Sequence, residues 1–249
     1  MTNFVLPDSE LHRRLTFYLS MEEFAACHLS ELAPDGAFFI WQVEPTVICG
    51  RNQDIRAEVN LPYCAEHGID VCRRKSGGGC VYADRGNIMI SYIKHCTDIS
   101  GLFSEFLEKL AGFLRHCGVP AEVSGRNDIL VQGQKVSGNA FSLRPGGVGI
   151  VHGTLLYDLD FEMLSHALTP SKAKLESKGV KSVSQRVRNL KSLLGGMDLE
   201  QLKAALVNWF CDSSKVLEQS GLEKVAEIEK EYTEPSFIAG HSGNGSDGL

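Results

Sequence analysis

The stretch CRRKSGGGCVYADRGN, residues 72–87, sets two arginines and a lysine before three consecutive glycines. Glycine loses more backbone entropy on folding than any other residue, so three in a row need a physical reason. One interpretation is a glycine turn with solvated arginines. The other is a loop whose backbone N–H groups approach an anion while Arg73 and Arg74 donate beside it. The stretch alone leaves both interpretations open.

Strand and helix signals on either side of this glycine loop (residues 76–80) follow no βαβ rhythm. Alternating or β-branched runs predict strands over 37–43, 46–49, 69–74, 87–93, 121–125, 127–132, 135–143 and 149–159. Helical spacing of apolar residues predicts helices over 9–31, 60–68, 102–114, 160–168 and 198–218. This mixture predicts the α+β class.

Composition and charge argue against several classes of function. The 249 residues, 43% hydrophobic and 22% charged, suit one large domain, which we expect over 1–235, with a disordered tail over 236–249. A net charge of −6 argues against a nucleic-acid binder built on bulk charge. No apolar run approaches roughly 20 residues and no leader is visible, which predicts no membrane contact and a cytoplasmic location. The eight cysteines match no zinc spacing, so reduced thiols are expected.

Two common phosphate-binding patterns do not fit. The chain has no Gly-Lys dipeptide, so it contains no Walker A loop. The segment GVGIVHG, residues 147–153, begins like a dinucleotide fingerprint, but His152 stands where the last glycine would be. The anion-binding interpretation therefore needs support from elsewhere in the chain.

Three further segments carry candidate chemistry. In SGRNDILVQGQKVSGNA, residues 124–140, Asp128 could hold a metal or a ribose, and Lys135 follows a tight turn on a predicted strand. In VHGTLLYDLD, residues 151–160, His152 precedes a small Gly-Thr pair. The segment 171–190 holds six basic residues against the single acid Glu176. A lysine at a strand start and a basic run are each most often solvated, so none of these segments decides the function by itself.

Together the four segments resemble the lipoate–protein ligase family in colinear order. The motifs that carry the resemblance are RRKSGGGCVYADRGN, GRNDILVQGQKVSGNA, HGTLL and KLESKGVKSVSQRVRNL, with weaker support from LSMEEF (19–24) and TVICGRNQD (46–54). The resemblance implies a class II synthetase type of α+β fold, related to biotin–protein ligases, with a central mixed or antiparallel sheet flanked by helices. A biotin substrate is less consistent with this sequence, because the Gly-Arg-Gly type of loop is absent.

The resemblance also implies a two-step activity. Family members use ATP and Mg²⁺ to convert lipoate to lipoyl-AMP with release of pyrophosphate. They then transfer the acyl group to a lysine of a lipoyl domain, on the E2 subunit of a 2-oxoacid dehydrogenase or on the glycine-cleavage H protein.

By the same resemblance, Lys135 is the central catalytic charge, reaching the adenylate phosphate and the lipoyl carbonyl oxygen. Asp128 is implied near the phosphate as a Mg²⁺ ligand, His152 and Gly153 against the acyl group, and segment 178–190 as a covering loop. The other residues implied to bind ATP or lipoyl-AMP are Arg74, Ser76, Gly78, Gly79, Cys80, Val81, Tyr82 and Asn87. Of these, Asn87 is implied either to contact the ligand or to support the loop.

Three departures from the family pattern keep alternatives open. Ala83 stands where histidine is common, and Cys80 where a small residue is common. Related acyltransferases use a catalytic cysteine after the lysine motif, but residues 136–160 contain none, so we interpret Cys80 as pocket lining. Many bacterial ligases carry a further C-terminal domain that assists activation. We therefore expect a ligase that works unaided, one that needs an accessory chain, or a lipoyl or octanoyl transferase fed with an activated donor.

A third interpretation is a non-catalytic binder of lipoylated domains that keeps the fold. The two cations Lys135 and Arg74 argue against it, because simple binding does not require paired cations in a glycine-lined pocket.

Overall fold

Two β-sheets of unequal size organise the chain. The computed structural model describes residues 1–7, 12–125, 127–169 and 186–240. Its strands are β1 Thr2–Val5, β2 Ala37–Trp41, β3 Thr46–Cys49, β4 Asp70–Arg73, β5 Val81–Ala83, β6 Asn87–His95, β7 Ala121–Ser124, β8 Asp128–Val131, β9 Gln134–Arg144, β10 Val148–Leu156 and β11 Ser213–Val216. The large sheet has the order β11-β1-β2-β6-β10-β9-β8-β7, and the small sheet the order β4-β3-β5. In the large sheet, strand β1 runs parallel to its two neighbours, β11 and β2. The other neighbouring strands of this sheet, in the order β2-β6-β10-β9-β8-β7, pair antiparallel. The predicted α+β class with a mixed sheet is therefore confirmed.

Helices cover both faces of the large sheet. They are α1 Leu15–Cys27, α2 Leu29–Leu32, α3 Ile55–Glu58, α4 Leu61–Glu66, α5 Ile99–His116, α6 Phe161–Ala167, α7 Leu199–Phe210, α8 Gln219–Thr233 and α9 Pro235–Ala239. Alternation along β6 divides the core: Ile88 and Ile90 pack with α5 and α7, whereas Met89 and Ile93 pack with α1 and α8. Among the described residues, no helix combines the length and the apolar character that crossing a membrane requires.

The small sheet packs across one end of β10. Its core joins Val47 and Tyr82 to Leu156, the last residue of β10, and to Leu164 of α6. The glycine loop connects β4 to β5 within this sheet, and its Ser76 contacts His152 in the middle of β10. This junction of the two sheets positions the candidate site.

Several peripheral helices and strands differ from those predicted from the sequence. The helix predicted over 198–218 ends at Phe210, because the chain turns there and residues 213–216 pair with β1. The helix predicted over 9–31 is described from Leu15 and is interrupted at His28. Strands β1 and β5 and helix α8 were not predicted. The tail predicted over 236–249 overlaps α9, while residues 241–249 lie outside the described residues.

Candidate functional site

A cavity of about 320 Å³ opens where the two sheets meet. Apolar side chains from α1, β2 and β6 line much of it, namely Leu15, Leu19, Trp41 and Met89. Charged and imidazole side chains enter from other elements, namely Arg74, Asp128, Lys135, His152 and Arg186. A mainly apolar concavity with a few convergent polar groups is the usual form of a small-molecule site.

Lys135 supplies a fixed ammonium in this cavity. It follows the turn Gln132-Gly133, whose positive φ angles of 51° and 77° give the predicted tight hairpin connection. The Lys135 Nζ lies 2.9 Å from Asp128 Oδ1, and Arg186 Nη2 lies 2.5 Å from Asp128 Oδ2. One carboxylate therefore orients two cations.

The surroundings of Asp128 keep this carboxylate ionised. Burial tends to raise its pKa, but the adjacent charges and hydrogen bonds of Lys135 and Arg186 outweigh burial, so the net pKa is lowered. A charged Asp128 holds the Lys135 ammonium in the cavity wall.

Arg74 supports the glycine loop from inside the protein. Its guanidinium is 6% exposed and donates to the carbonyl oxygens of Ile48 at 3.1 Å, Gly77 at 2.8 Å and Gly79 at 2.9 Å. Burial lowers its pKa, and its Nε has no hydrogen-bond partner among the residues that the structure describes. Nη2 binds the two loop carbonyls and Nη1 binds the carbonyl of Ile48 in β3, while the binding of a phosphate by Arg74 stays a prediction from the sequence.

Close backbone approach explains two glycines of this region. Gly78 has φ +100°, and a Cβ there would lie 2.7 Å from the Arg74 Nη2. A Cβ on Gly50, in the turn after β3, would lie 2.1 Å from the carbonyl oxygen of Gly78. The Gly50 amide also donates to Gly79 at 3.3 Å. The loop is therefore clamped between Arg74 and the turn after β3.

His152 is the centre of a buried polar network that sequence reasoning missed. Its Nε2 lies 2.7 Å from Ser76 Oγ, and its Nδ1 lies 3.1 Å from Glu22 Oε2. Ser91 Oγ donates to Glu22 at 2.6 Å, and Trp41 Nε1 donates to Ser91 at 2.9 Å. With Nδ1–H directed at the carboxylate, Nε2 accepts from the Ser76 hydroxyl, so the imidazole orientation is fixed. The network connects α1, β2 and β6 to the glycine loop.

Ten of the twelve residues predicted to bind ligand line the cavity, namely Arg74, Gly78, Gly79, Cys80, Val81, Tyr82, Asp128, Lys135, His152 and Gly153. The other two stand behind the wall. Ser76 is bonded to His152, and Asn87 Oδ1 accepts from the Asp84 amide at 3.1 Å in the turn before β6. This contact favours the supporting role for Asn87, and contact with ligand stays a prediction from the sequence.

Glu22, Trp41 and Arg186 are among the cavity and network residues that were not predicted individually. Glu22 lies within the quoted motif LSMEEF, but a glutamate in a helix gives no signal of burial. Trp41 lies in a predicted strand, and nothing in the sequence distinguishes it from other apolar strand residues. Arg186 falls inside the predicted covering segment 178–190, of which only residues 186–190 are described.

The chain belongs to the family of lipoyl protein ligase A/B catalytic domains, whose family model matches residues 15–211. The lipoate-protein ligase LplJ of Bacillus subtilis (strain 168) is 38% identical over 223 residues, and the chain spans 66% of the length of that relative, with 86% of its own residues aligned. The family predicted from the four motifs is therefore confirmed.

Solved structures show the same fold. The bi-partite lipoate protein ligase of Thermoplasma acidophilum has a TM-score of 0.82 at 23% identity over 96% of each chain. A lipoate-protein ligase A bound with ATP has a TM-score of 0.80 at 22% identity, covering 96% of this chain and 98% of that one. At these identities the likeness concerns the fold.

Proposed function

We propose that this chain is an ATP-dependent lipoate–protein ligase, which forms lipoyl-AMP and transfers the lipoyl group to a lysine of an acceptor lipoyl domain. The observation that carries the proposal is the Lys135 ammonium, held by Asp128 in the wall of a largely apolar cavity that also includes the glycine loop. Membership of the ligase family and the name of the B. subtilis relative support the same activity.

The two kinds of cavity wall suit the two parts of a lipoyl-adenylate. Leu15, Leu19 and Met89 offer an apolar surface to an acyl chain. The glycine loop and the cations Lys135 and Arg186 suit the phosphate and the carboxyl group joined to it. ATP is the nucleotide expected here, and a fold relative carries it.

Both steps of the proposed reaction need a cation at the carboxyl–phosphate junction. In activation, the lipoate carboxylate attacks the α-phosphorus of ATP and pyrophosphate leaves. In transfer, the acceptor amine attacks the carbonyl carbon and AMP leaves. Negative charge grows on oxygen atoms in each step, and a fixed donor in a water-poor site is commonly worth about 3 kcal/mol. Lys135 supplies this charge, and the mixed anhydride is reactive enough to need no enzyme nucleophile.

The prediction of Asp128 as a Mg²⁺ ligand finds little support in its contacts. Both carboxylate oxygens are paired with cations, and the described residues contain no group of three or more His, Cys, Asp or Glu side chains that could hold a metal. Mg²⁺ commonly binds through substrate phosphates with one or two carboxylates. Asp128 orients Lys135 through its ion pair, and its role as a Mg²⁺ ligand stays a prediction from the sequence.

The acceptor is expected to be a lipoyl domain of an E2 subunit or an H protein. The T. acidophilum fold relative was described with its E2 lipoyl domain. The choice between these acceptors, and the cytoplasmic location, stay predictions from the sequence.

A second candidate is a ligase that needs a separate accessory chain for activation, or a transferase that uses preformed lipoyl-AMP. It is favoured by the T. acidophilum ligase, which is bi-partite and matches this chain over 96% of both.

Pyrophosphate release from ATP, Mg²⁺ and R-lipoate tests the proposal when wild type is compared with Lys135→Ala. Lys94→Ala is the matched control, because Lys94 pairs with Glu105 on the surface. Lipoate-dependent release that is lost only in Lys135→Ala supports a self-sufficient ligase. No release, together with Lys135-dependent transfer from synthetic lipoyl-AMP to a lipoyl domain, supports the second candidate. If neither step occurs in wild type, both candidates are wrong.

A further inference from the structure

Two thiols face each other beside the glycine loop. Strands β3 and β5 pair Ile48 with Val81, so one residue further Cys49 stands opposite Cys80. The next pair along these strands is Gly50 and Gly79, and the Gly50 amide donates to the Gly79 carbonyl oxygen. Because hydrogen-bonded and non-hydrogen-bonded pairs alternate along antiparallel strands, Cys49 and Cys80 form a non-hydrogen-bonded pair. Cα atoms of such pairs lie about 4.5 Å apart, within the range that a disulfide spans. The two Sγ atoms are 2.9 Å apart, and both side chains are reduced thiols in this structure.

The two thiols differ in access. Cys80 is half-buried and lines the cavity, whereas Cys49 is fully buried behind it. A small oxidant that enters the cavity meets Cys80 first. The hydrogen bond with Cys80 and burial both raise the pKa of Cys49, so Cys49 is a protonated thiol in this structure.

We propose that Cys49 and Cys80 form a reversible oxidation site, in which Cys80 reacts with a peroxide and Cys49 resolves the product as an intramolecular disulfide. The Cys80 sulfur attacks one peroxide oxygen, the O–O bond breaks, and one water leaves. The sulfur of Cys49 then displaces the hydroxyl of the Cys80 sulfenic acid, an S–S bond forms, and a second water leaves. Two thiols and one hydrogen peroxide give one disulfide and two waters, and a dithiol reductant restores both thiols.

The position of Cys80 gives the disulfide a consequence. Without a resolving thiol, sulfenic acid proceeds to sulfinic and sulfonic acids, which dithiols do not reduce. Either acid would place a permanent negative charge in the cavity wall near Arg74. A disulfide is neutral and keeps the side chain close to β3. Cys49 therefore protects the cavity from irreversible modification.

Mass mapping of the purified full chain tests the proposal. Wild type, Cys49→Ala and Cys64→Ala are treated with hydrogen peroxide, blocked with an alkylating agent, and digested without reductant. Cys64 is the matched control because it is equally buried in the core of the small sheet. We expect a disulfide-linked peptide pair carrying Cys49 and Cys80 in wild type and Cys64→Ala. In Cys49→Ala we expect irreversible oxidation of Cys80 to increase at least about tenfold.

The outcomes separate this proposal from the proposed ligase activity, because the readout is mass. A wild-type chain that accumulates sulfonate at Cys80 as fast as Cys49→Ala, without the linked peptides, overturns the proposal. A link from Cys80 to Cys72 in place of Cys49 also overturns it. If Cys49→Ala does not fold, the presence or absence of the linked peptides in wild type decides.

Discussion

At the scale of single residues, Gly138 fixes the position of the central cation by having no side chain. A Cβ at this position would lie 2.4 Å from the Lys135 Cε and 2.3 Å from its Nζ. The lysine therefore reaches Asp128 by lying flat across the backbone of its own strand. A side chain at 138 would leave the charge of Lys135 intact and change only its place.

We predict that Gly138→Ala lowers lipoate-dependent pyrophosphate release by about a hundredfold, since displacement of a catalytic group by about 1 Å has this effect. Stability should change little, because the displaced atoms are the far end of a flexible side chain that can shift and still reach Asp128. Gly112→Ala, in the middle of α5 with contacts no closer than 3.8 Å, is the control and should keep full activity. Equal activity in the two variants would contradict the role of the close approach.

Asp128 gives a prediction about pH. Its pKa is lower in the folded protein than in the unfolded chain, so the stability it contributes is present above the unfolded value of about 3.9 and is lost as pH falls through the folded pKa. We expect Asp128→Asn to have a lower free energy of unfolding than wild type at neutral pH. As the pH falls, the free energy of unfolding of the variant should decrease less than that of wild type. Urea unfolding across the acid range measures this, with the exposed Asp35→Asn as control. Parallel pH profiles for wild type and Asp128→Asn would contradict it.

Several residues that line the cavity were predicted through the family resemblance, which short continuous motifs carry. Gly78, Cys80 and Lys135 lie in motifs whose turns and strands are encoded by neighbouring residues. Glu22 and Ser76 owe their roles to a hydrogen-bond network that joins α1, β10 and the glycine loop, and no local pattern reports such a network. Arg74 was identified as a site residue, yet its bonds to loop carbonyls depend on the path of the folded loop.

At the scale of elements, Arg73 attaches the last described helix to the small sheet. It is 3% exposed, and its Nε and Nη2 donate to the carbonyl oxygens of Ile238 at 2.9 Å and Ala239 at 3.0 Å. Its Nη1 donates to three carbonyls in the turn after β3. A cation at the C-terminal end of a helix is favourable. Arg73 thus joins α9 to the turn that clamps the glycine loop.

We predict that Arg73→Met lowers the free energy of unfolding by about 3 kcal/mol, because buried carbonyl groups lose charged donors. Hydrogen exchange at the amides of α9 should become faster than in wild type. Arg56→Met, which removes an exposed arginine from α3, is the control and should change neither quantity. A variant with wild-type stability and unchanged exchange in α9 would show that the anchor is dispensable.

The sequence predicted the inner elements better than the outer ones. Strand β6 and helix α5 have long, regular apolar patterns, and both were found near their predicted bounds. Strand β11 is fully exposed and has no alternating pattern, so only its pairing with β1 defines it. Strand β5 was not predicted, because it has only three residues and follows glycines that give no strand signal.

At the scale of the whole molecule, the C-terminal helices connect separate cores. Phe237 packs against the core beside α1, and its ring meets the Tyr232 ring edge to face, with ring centroids 5.4 Å apart. The next residue, Ile238, packs against the core of the small sheet. Lys75, next to Arg74, pairs with Glu23 of α1 and Glu231 of α8. The end of the described chain therefore belongs to the structure around the cavity.

We predict that a chain ending at Thr233 unfolds at a temperature about 5 °C lower than the full chain, since it loses the contacts of α9. A chain ending at Gly240 should unfold with the full chain, as the predicted disorder of the tail requires. Thermal unfolding of the three chains compares them. If the Thr233 chain unfolds with the full chain, α9 adds no stability; if the Gly240 chain is also destabilised, residues 241–249 contribute structure.

The attachment of α9 to Arg73 also affects how the protein is made. Arg73 and its partner Ile238 are separated by 165 residues, so on the ribosome the glycine loop emerges long before the carbonyl groups that hold its flank. Chains fold as they are synthesised, but this contact cannot form until nearly all of the described chain has left the exit tunnel. A polypeptide truncated during translation before α9 would therefore lack the anchored glycine loop. Completion of the cavity is thereby coupled to synthesis of the α9 segment.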